Sequence, residues 1–124
     1  MIFRNILLAG LGGGVGSIAR YLCQKYLVSG SLAPFPIGTF LVNISGCFLI
    51  GLFHGLAMKG NWMSPEWRFL LTTGLCGGFT TFSAFAYENF QLLKAGNIWV
   101  PVLYIGSSVL LGIAAVFGGI ALAR

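Results

Sequence analysis

The sequence carries very little charge, and almost none of that charge is acidic. Charged residues make up 7% of the 124 residues, and the acids are Glu66 and Glu88 alone. A soluble domain of ordinary composition carries about 25% charged residues. So few charges cannot cover a surface that faces water, whereas lipid tails readily solvate apolar side chains. The composition therefore excludes a typical soluble domain and indicates a membrane protein.

Groups that could carry acid–base or nucleophilic catalysis are equally scarce. The chain has no aspartate, its one histidine is His54, and its three cysteines are Cys23, Cys47 and Cys76. General acid–base catalysis needs several such groups to converge on one site. Three cysteines within apolar runs are more typical of packing than of disulfides or metal ligation. We therefore do not expect an enzyme.

The positive charge is scattered along the chain. The net charge is +5, and the seven basic residues are Arg4, Arg20, Lys25, Lys59, Arg68, Lys94 and Arg124. They form no patch or stripe that could follow a phosphate backbone, so a nucleic-acid partner is not expected. Charges spaced in this way are typical of residues that flank membrane spans.

Four segments are long and apolar enough to cross a bilayer, which requires about 20 residues. They run over residues 2–27, 38–58, 65–93 and 99–122. Pro34 and Pro36 predict a loop over 29–36, and Ser64-Pro65-Glu66 is typical of a helix start. Glycines interrupt the first apolar run, so we expect a retained helix and not a cleaved signal peptide. The predicted fold is an all-α membrane protein with a single four-helix transmembrane domain.

The third segment is poorly suited to a continuous helix. From Glu66 to Leu93 a straight helix would measure roughly 42 Å, against a hydrocarbon core of about 30 Å. Its centre, residues 74–81, contains paired glycines and two β-branched threonines. We predict a break near the centre of this helix, with backbone carbonyls left free for a ligand. A kink without any ligand is the alternative.

The distribution of basic residues leaves the orientation of the chain open. Four spans put both termini on one side, together with four of the basic residues, while Arg20, Lys25 and Lys94 fall on the other side. The positive-inside rule requires a clear bias, and four against three is hardly one. The sequence therefore allows insertion in both orientations, and with it an antiparallel homodimer.

Neutral polar residues recur at membrane depth in three of the segments. They are Thr39 and Asn43 in the second, Thr80, Thr81 and Ser83 in the third, and Tyr104 and Ser108 in the fourth. Their hydroxyl and amide groups donate hydrogen bonds, and nearby phenylalanines could add the positive edges of their rings. A path without acids suits an anion better than a cation. Hydrogen bonding between helices, at about 0.6 kcal/mol each, and aromatic packing are the alternatives.

Three motifs resemble those of a known family. The run from Gly77 to Phe85, GGFTTFSAF, followed by Glu88, resembles the signature of the Fluc (CrcB) fluoride-channel family. Gly12–Gly16 with Arg20 resembles the first-helix motif of that family, and residues 38–43 with Gly46 resemble the second. The resemblance covers nearly the whole chain, in order.

The resemblance implies a passive, fluoride-selective channel that exports fluoride from the cytoplasm across the bacterial inner membrane. It also implies an antiparallel, dual-topology homodimer with a structural sodium ion (Na+) at its centre, held by the backbone carbonyls of Gly77 and Thr80. Together with the polar residues above, it predicts a fluoride pathway of Arg20, Thr39, Asn43, Thr81, Phe82, Ser83, Phe85, Tyr104 and Ser108. The fourth-helix track lacks hydroxyls at Gly112 and Val116, and the roles of Glu88 and His54 stay open.

Two other functions were weighed against a fluoride channel. A small four-helix exporter of drugs or cations needs a carboxylate in its first membrane span, and this first span has none. A non-conducting membrane subunit would explain the many glycines but not the line of polar residues. The sequence therefore favours the channel.

Overall fold

Every regular element of the structure is helical. The computed structural model describes residues 1–27, 35–60 and 63–124. Within them, four helical spans are long and apolar enough to cross a membrane: Ile2–Tyr26, Ile37–Ala57, Pro65–Lys94 and Trp99–Ala123. The all-helical fold with four spans is confirmed. Of the loop predicted over 29–36, all but Phe35 and Pro36 lies outside the described residues.

Three of the spans are built without an interruption. The first is helix α1 (Ile2–Leu22), which continues into a wider π-helical turn (Cys23–Leu27). The second is helix α2 (Ile37–Ala57), which starts directly after Pro36, where a missing backbone N–H costs no helical hydrogen bond. The fourth is the last helix, Trp99–Ala123.

The third span consists of several pieces. It begins at Ser64, whose hydroxyl accepts a hydrogen bond from the Trp67 amide at 3.2 Å. Helix α3 (Pro65–Phe69), a π-helical stretch (Leu70–Cys76) and helix α4 (Gly77–Phe79) follow. Thr80 and Thr81 then have extended backbone, with ψ of 160° and 121°, before helix α5 (Phe82–Lys94) begins. The last helix of the chain is accordingly α6.

Glycines bring the first and third spans together backbone to backbone. A Cβ on Gly12 would lie 2.8 Å from the Cα of Gly74, and a Cβ on Gly78 would collide with the carbonyl of Gly13. Helices in a membrane associate through this kind of close packing because burial of apolar surface gives no advantage over lipid. The glycine motif of the first span therefore holds the third span in place.

A second glycine contact joins α2 to α6. A Cβ on Gly51 would collide with the carbonyl of Val116, and one on Gly119 would collide with the carbonyl of Phe48. Gly55 lies against Ala123, where an added Cβ would be 2.8 Å from the Ala123 Cβ. The four spans therefore pack as two pairs, the first with the third and the second with the fourth.

The outer surface of the protein is far more apolar than that of a soluble protein. Large apolar residues are exposed along α1 and α6, among them Leu7, Leu11, Leu110 and Phe117. Thr39, Thr72 and Asn89 are buried, and Tyr104 is the largest side chain with no exposure at all. Such a surface suits lipid or another apolar helix. The polar interior is what requires a functional explanation.

Candidate ion pathway

A groove of about 290 Å³ opens on one side of the extended turn in the third span. It is lined by Asn43 and Cys47 of α2, by Thr80, Thr81, Phe82 and Phe85 of the third span, and by Ser108 and Val109 of α6. The structure thus brings together five of the residues predicted for the fluoride pathway: Asn43, Thr81, Phe82, Phe85 and Ser108. Thr39, Ser83, Tyr104 and Arg20 do not line this groove.

The side chain of Asn43 occupies the gap in the third span. Its Oδ1 accepts a hydrogen bond from the Thr81 backbone N–H at 2.8 Å, and its Nδ2 donates to the Thr81 carbonyl at 3.0 Å. Extended backbone cannot make helical hydrogen bonds, so a side-chain amide supplies both a donor and an acceptor in their place. One N–H of the Asn43 amide then remains for another acceptor in the groove.

Two carbonyls next to the gap lose their usual donors. In a helix the Gly77 carbonyl would accept from the amide of Thr81, and the Thr80 carbonyl from the amide of Ala84. Here the Thr81 amide donates to Asn43, and the Ala84 amide donates to the Thr81 hydroxyl at 3.2 Å. Among the described residues, neither carbonyl takes part in any of the hydrogen bonds made at helix ends or between elements.

Aromatic rings lead from the groove into the interior of the protein. Phe82 is 79% exposed at the groove, and its ring centroid lies 5.7 Å from that of Phe85. The ring of Phe85 lies in turn 4.7 Å from that of the buried Tyr104, tilted by 59°. Tilted rings turn edges, which carry partial positive charge, towards their neighbours.

The hydroxyls near the groove differ in what they bind. The Ser108 Oγ is buried and has no hydrogen-bond partner among the described residues. Ser83 is exposed, with its Oγ 3.4 Å from that of Thr81. The Thr80 hydroxyl donates to the Cys76 carbonyl at 3.0 Å and is therefore occupied. A buried hydroxyl without a partner is costly, so the groove presents Ser108 as a donor that a small anion could use.

Tyr104 and Thr39 converge on Glu88, beyond the ring of Phe85. The Tyr104 hydroxyl donates to Glu88 Oε1 at 2.8 Å, and the Thr39 hydroxyl donates to Oε2 at 2.7 Å. Gln24 Nε2 donates to the Thr39 hydroxyl at 3.1 Å. Sequence reasoning left Glu88 open and did not consider Gln24. An acid inside a membrane span is itself a signal of function, and only the packing reveals which partners it has.

Arg20 contacts the third span at a different point. Its Nε donates to the Gly78 carbonyl at 3.3 Å, and the Ser17 hydroxyl lies 3.4 Å from the same oxygen. The guanidinium is therefore tied to backbone just before the extended turn and is absent from the groove lining. Among the residues that the structure describes, no fixed positive charge lines the groove itself.

These features define an integral membrane protein of four spans, with a small groove beside the extended residues Thr80 and Thr81. The chain belongs to the family described as CrcB-like protein, Camphor Resistance (CrcB), whose model matches residues 7–120.

Three relatives that are similar to the chain over nearly their whole length share one name. The chain is 48% identical to a "Fluoride-specific ion channel FluC" of Flavobacterium psychrophilum, over 98% of both chains. It is 47% identical to the protein of that name in Chlorobaculum tepidum, over 100% of this chain and 98% of the relative. For Pyrococcus horikoshii the identity is 46%, over 96% of this chain and 95% of the relative. The membership expected from the motifs is confirmed.

Proposed function

We propose that this protein is a fluoride-selective passive channel that exports fluoride from the cytoplasm across the bacterial inner membrane. Its relatives are named as fluoride-specific ion channels, and their similarity extends over the whole chain. The observation that carries the proposal is the groove, which offers neutral hydrogen-bond donors and ring edges but contains no acid. The exporter of drugs or cations is not favoured, because its required first-span carboxylate is missing.

The chemistry of the groove suits a small anion that holds its water tightly. A narrow pathway must replace that water with donors, each weak enough to release the ion again. The remaining N–H of Asn43, the hydroxyl of Ser108 and the ring edges of Phe82 and Phe85 are such donors. A fixed cation in the groove would retain the anion, whereas Arg20 is held by the Gly78 carbonyl.

The pathway continues from the groove towards Glu88. An anion that passes Phe85 meets the hydroxyls of Tyr104 and Thr39, whose protons point at the Glu88 carboxylate. Fluoride and carboxylate accept the same hydrogen bonds. Passage therefore requires these hydroxyls to exchange one acceptor for the other, which would make Glu88 a participant in conduction.

A second copy of the chain completes the site in this proposal. The interruption at Thr80 and Thr81 lies near the middle of the span Pro65–Lys94, and Gly77 and Phe82 are exposed there. Lipid cannot pair with backbone carbonyls, so irregular backbone at this depth has to be covered by protein or serve a ligand. The near balance of basic residues allows two orientations, and an antiparallel homodimer of dual topology would provide the cover.

A structural sodium ion fits the free carbonyls of Gly77 and Thr80. Hard cations prefer oxygen ligands, and these two oxygens have no helical donor. A symmetric partner would contribute the same pair, for four carbonyls around one ion. The ion would neutralise the carbonyl dipoles at the dimer centre and hold the two third spans together.

Fluoride efflux from liposomes tests the function directly. Vesicles that contain the purified protein and a fluoride salt should release fluoride, detected with a fluoride electrode, when a potassium ionophore balances the charge. Vesicles loaded with chloride should retain it. Retention of fluoride, or equal release of both ions, would contradict the proposal. Tags on the C-terminus that always report one side of the membrane would contradict dual topology.

A further inference from the structure

One chain of hydrogen bonds joins all four spans at the end of the pathway. Gln24 of the first span donates to Thr39 of the second at 3.1 Å, and Thr39 donates to Glu88 of the third at 2.7 Å. Tyr104 of the fourth span donates to the other oxygen of Glu88 at 2.8 Å. Gln24 does not line the groove, and within this network it is hydrogen-bonded to Thr39 and not to Glu88 or Tyr104.

The direction of these hydrogen bonds follows from the chemistry of each group. The Gln24 NH2 group can only donate, so the Thr39 oxygen accepts from it. The single proton of the Thr39 hydroxyl is then left for Glu88. Tyr104 donates a second hydrogen bond to Glu88, so the Glu88 carboxylate acts only as an acceptor. The orientation of the Thr39 proton therefore depends on Gln24.

The backbone at Gln24 is built for this contact. Gln24 lies in the π-helical turn Cys23–Leu27 that ends the first span. π-Helical turns are rare, and they are frequent at functional sites. Here the turn directs Gln24 to Thr39 on the neighbouring helix.

We propose that Gln24 is a positioning residue of the pathway, which orients the Thr39 hydroxyl proton onto Glu88 and so fixes Glu88 as a hydrogen-bond acceptor. Its effect on transport rests on the proposed fluoride channel, whereas its effect on the hydrogen-bond direction does not. Loss of the amide donor would let the Thr39 proton turn away from Glu88. The carboxylate would then keep only the donor from Tyr104.

A double-mutant cycle that reverses the chain of hydrogen bonds tests the proposal. Gln24→Glu places a second acceptor beside Thr39, so that two carboxylates compete for one proton. Glu88→Gln leaves one amide oxygen for the protons of both Thr39 and Tyr104, and its NH2 group faces one of these two hydroxyls as an additional donor. In the double variant the amide at position 88 donates to Thr39, and Thr39 donates to the carboxylate at position 24. The two hydrogen bonds of Thr39 are restored in the opposite direction, and Tyr104 still donates to the amide oxygen at position 88.

We expect each single variant to lower the melting temperature of the purified channel by about 4 °C or more, and the double variant to recover most of that loss. Substitutions within one hydrogen-bond network show such coupling, whereas the stability losses at independent sites are additive. Additive losses would overturn the proposal. A role in packing alone predicts additivity, because both substitutions preserve the shape of the side chain.

Gln91→Glu is the matched control. Gln91 is exposed, lies one helical turn from Glu88 on α5 and lines the same small cavity, but makes no hydrogen bond to Thr39. Gln91→Glu and Glu88→Gln should therefore show only the weak coupling of two like charges one helical turn apart. If the melting temperature recovers as much in this pair as in the Gln24 pair, the recovery depends only on restoring the net charge. That result would also overturn the proposal.

A second double-mutant cycle tests the proposal if the Gln24→Glu variant does not fold. Gln24→Met removes the donor while keeping the length of the side chain, and Thr39→Val removes the hydroxyl while keeping the branch at Cβ. In the Thr39→Val background, Gln24→Met should cause no further decrease in melting temperature or in fluoride efflux. An undiminished cost would show that Gln24 acts through another group, against the proposal.

Fluoride efflux provides the functional readout. We expect Gln24→Met to slow efflux about tenfold, which corresponds to about 1.4 kcal/mol, and Gln91→Met to leave it unchanged. Efflux unaffected by Gln24→Met would overturn the role in transport. Absence of fluoride efflux from the unmutated protein would refute the proposed function instead, while the cycle in melting temperature would still test the hydrogen-bond direction.

Discussion

Asn43 and Thr81 pair as two backbone segments would, through one hydrogen bond in each direction at 2.8 and 3.0 Å. The pairing fills the gap where the third span leaves the helical conformation. It gives Asn43 two roles, because the same amide closes the gap and turns its remaining N–H to the groove. Structural support and anion recognition are therefore coupled at this residue.

Asn43→Asp replaces the side-chain amide with a carboxylate of the same shape, and so tests the role of the NH2 group. The substitution removes the donor to the Thr81 carbonyl and puts a negative charge against that oxygen. We expect fluoride efflux to fall at least tenfold and the stability to fall by about 1–3 kcal/mol. Asn97→Asp, which adds the same charge outside the groove, should have little effect on either. Normal efflux in Asn43→Asp would contradict the role assigned to this amide.

Phe82→Ile tests the aromatic contribution to the pathway. Phe82 is 79% exposed, so its replacement should cost little in folding of the single chain. Isoleucine keeps the apolar character but lacks the positive ring edge. We expect fluoride efflux to drop by at least about tenfold, or about 1.4 kcal/mol in the barrier. Phe3→Ile, at a phenylalanine that is 78% exposed, should leave efflux unchanged.

The sequence predicted some parts of this fold and site better than others for physical reasons. Span number follows from composition, because lipid excludes charge over about 20 residues wherever the chain crosses. The neutral polar residues could be identified for the same reason, because polar groups stand out within segments that lipid requires to be apolar. Hydrogen-bond partners were not visible: Thr39 and Tyr104 were predicted to face the anion, whereas the structure directs their protons to Glu88.

Gln24 shows why such partners escape sequence reasoning. The residue is near the end of the first span, where a glutamine is unremarkable, and nothing in its neighbours predicts a π-helical turn. Its contact with Thr39 depends on how the first two spans pack. The glycines pair the first span with the third and the second with the fourth, so the contact between the first two spans follows only from the assembly of all four.

Tyr104→Phe removes one of the two donors to Glu88 without changing the ring. The Tyr104 side chain is fully buried, and the substitution leaves one oxygen of a partly buried carboxylate without its donor. We expect a stability loss of about 1–3 kcal/mol, measured by thermal unfolding in detergent, together with slower fluoride efflux. Tyr87→Phe is the control, because that tyrosine is 60% exposed. Equal stability of the two variants would argue against the hydrogen bond to Glu88.

Removal of sodium tests the proposed ion at Gly77 and Thr80. A ligand bound only by the folded protein stabilises it by about 2.7 kcal/mol when its concentration is 100 times the dissociation constant. We expect the melting temperature of the purified protein to rise as sodium replaces a bulky organic cation, and to level off at saturation. A melting temperature that does not respond to sodium would contradict the site. Potassium at equal ionic strength controls for salt.

Gly78→Ala tests whether the first span positions the interrupted helix. An added Cβ would collide with the backbone of Gly13, where no side chain can move aside. Overpacking of this kind typically costs about 1–3 kcal/mol, and it would displace the Gly78 carbonyl that Arg20 binds. Gly118→Ala adds the same methyl group in α6, where nothing lies within 4 Å. We expect the first variant to lose thermal stability and fluoride efflux and the second to keep both. If the two variants behave alike, the glycine contact does not hold the pathway in place.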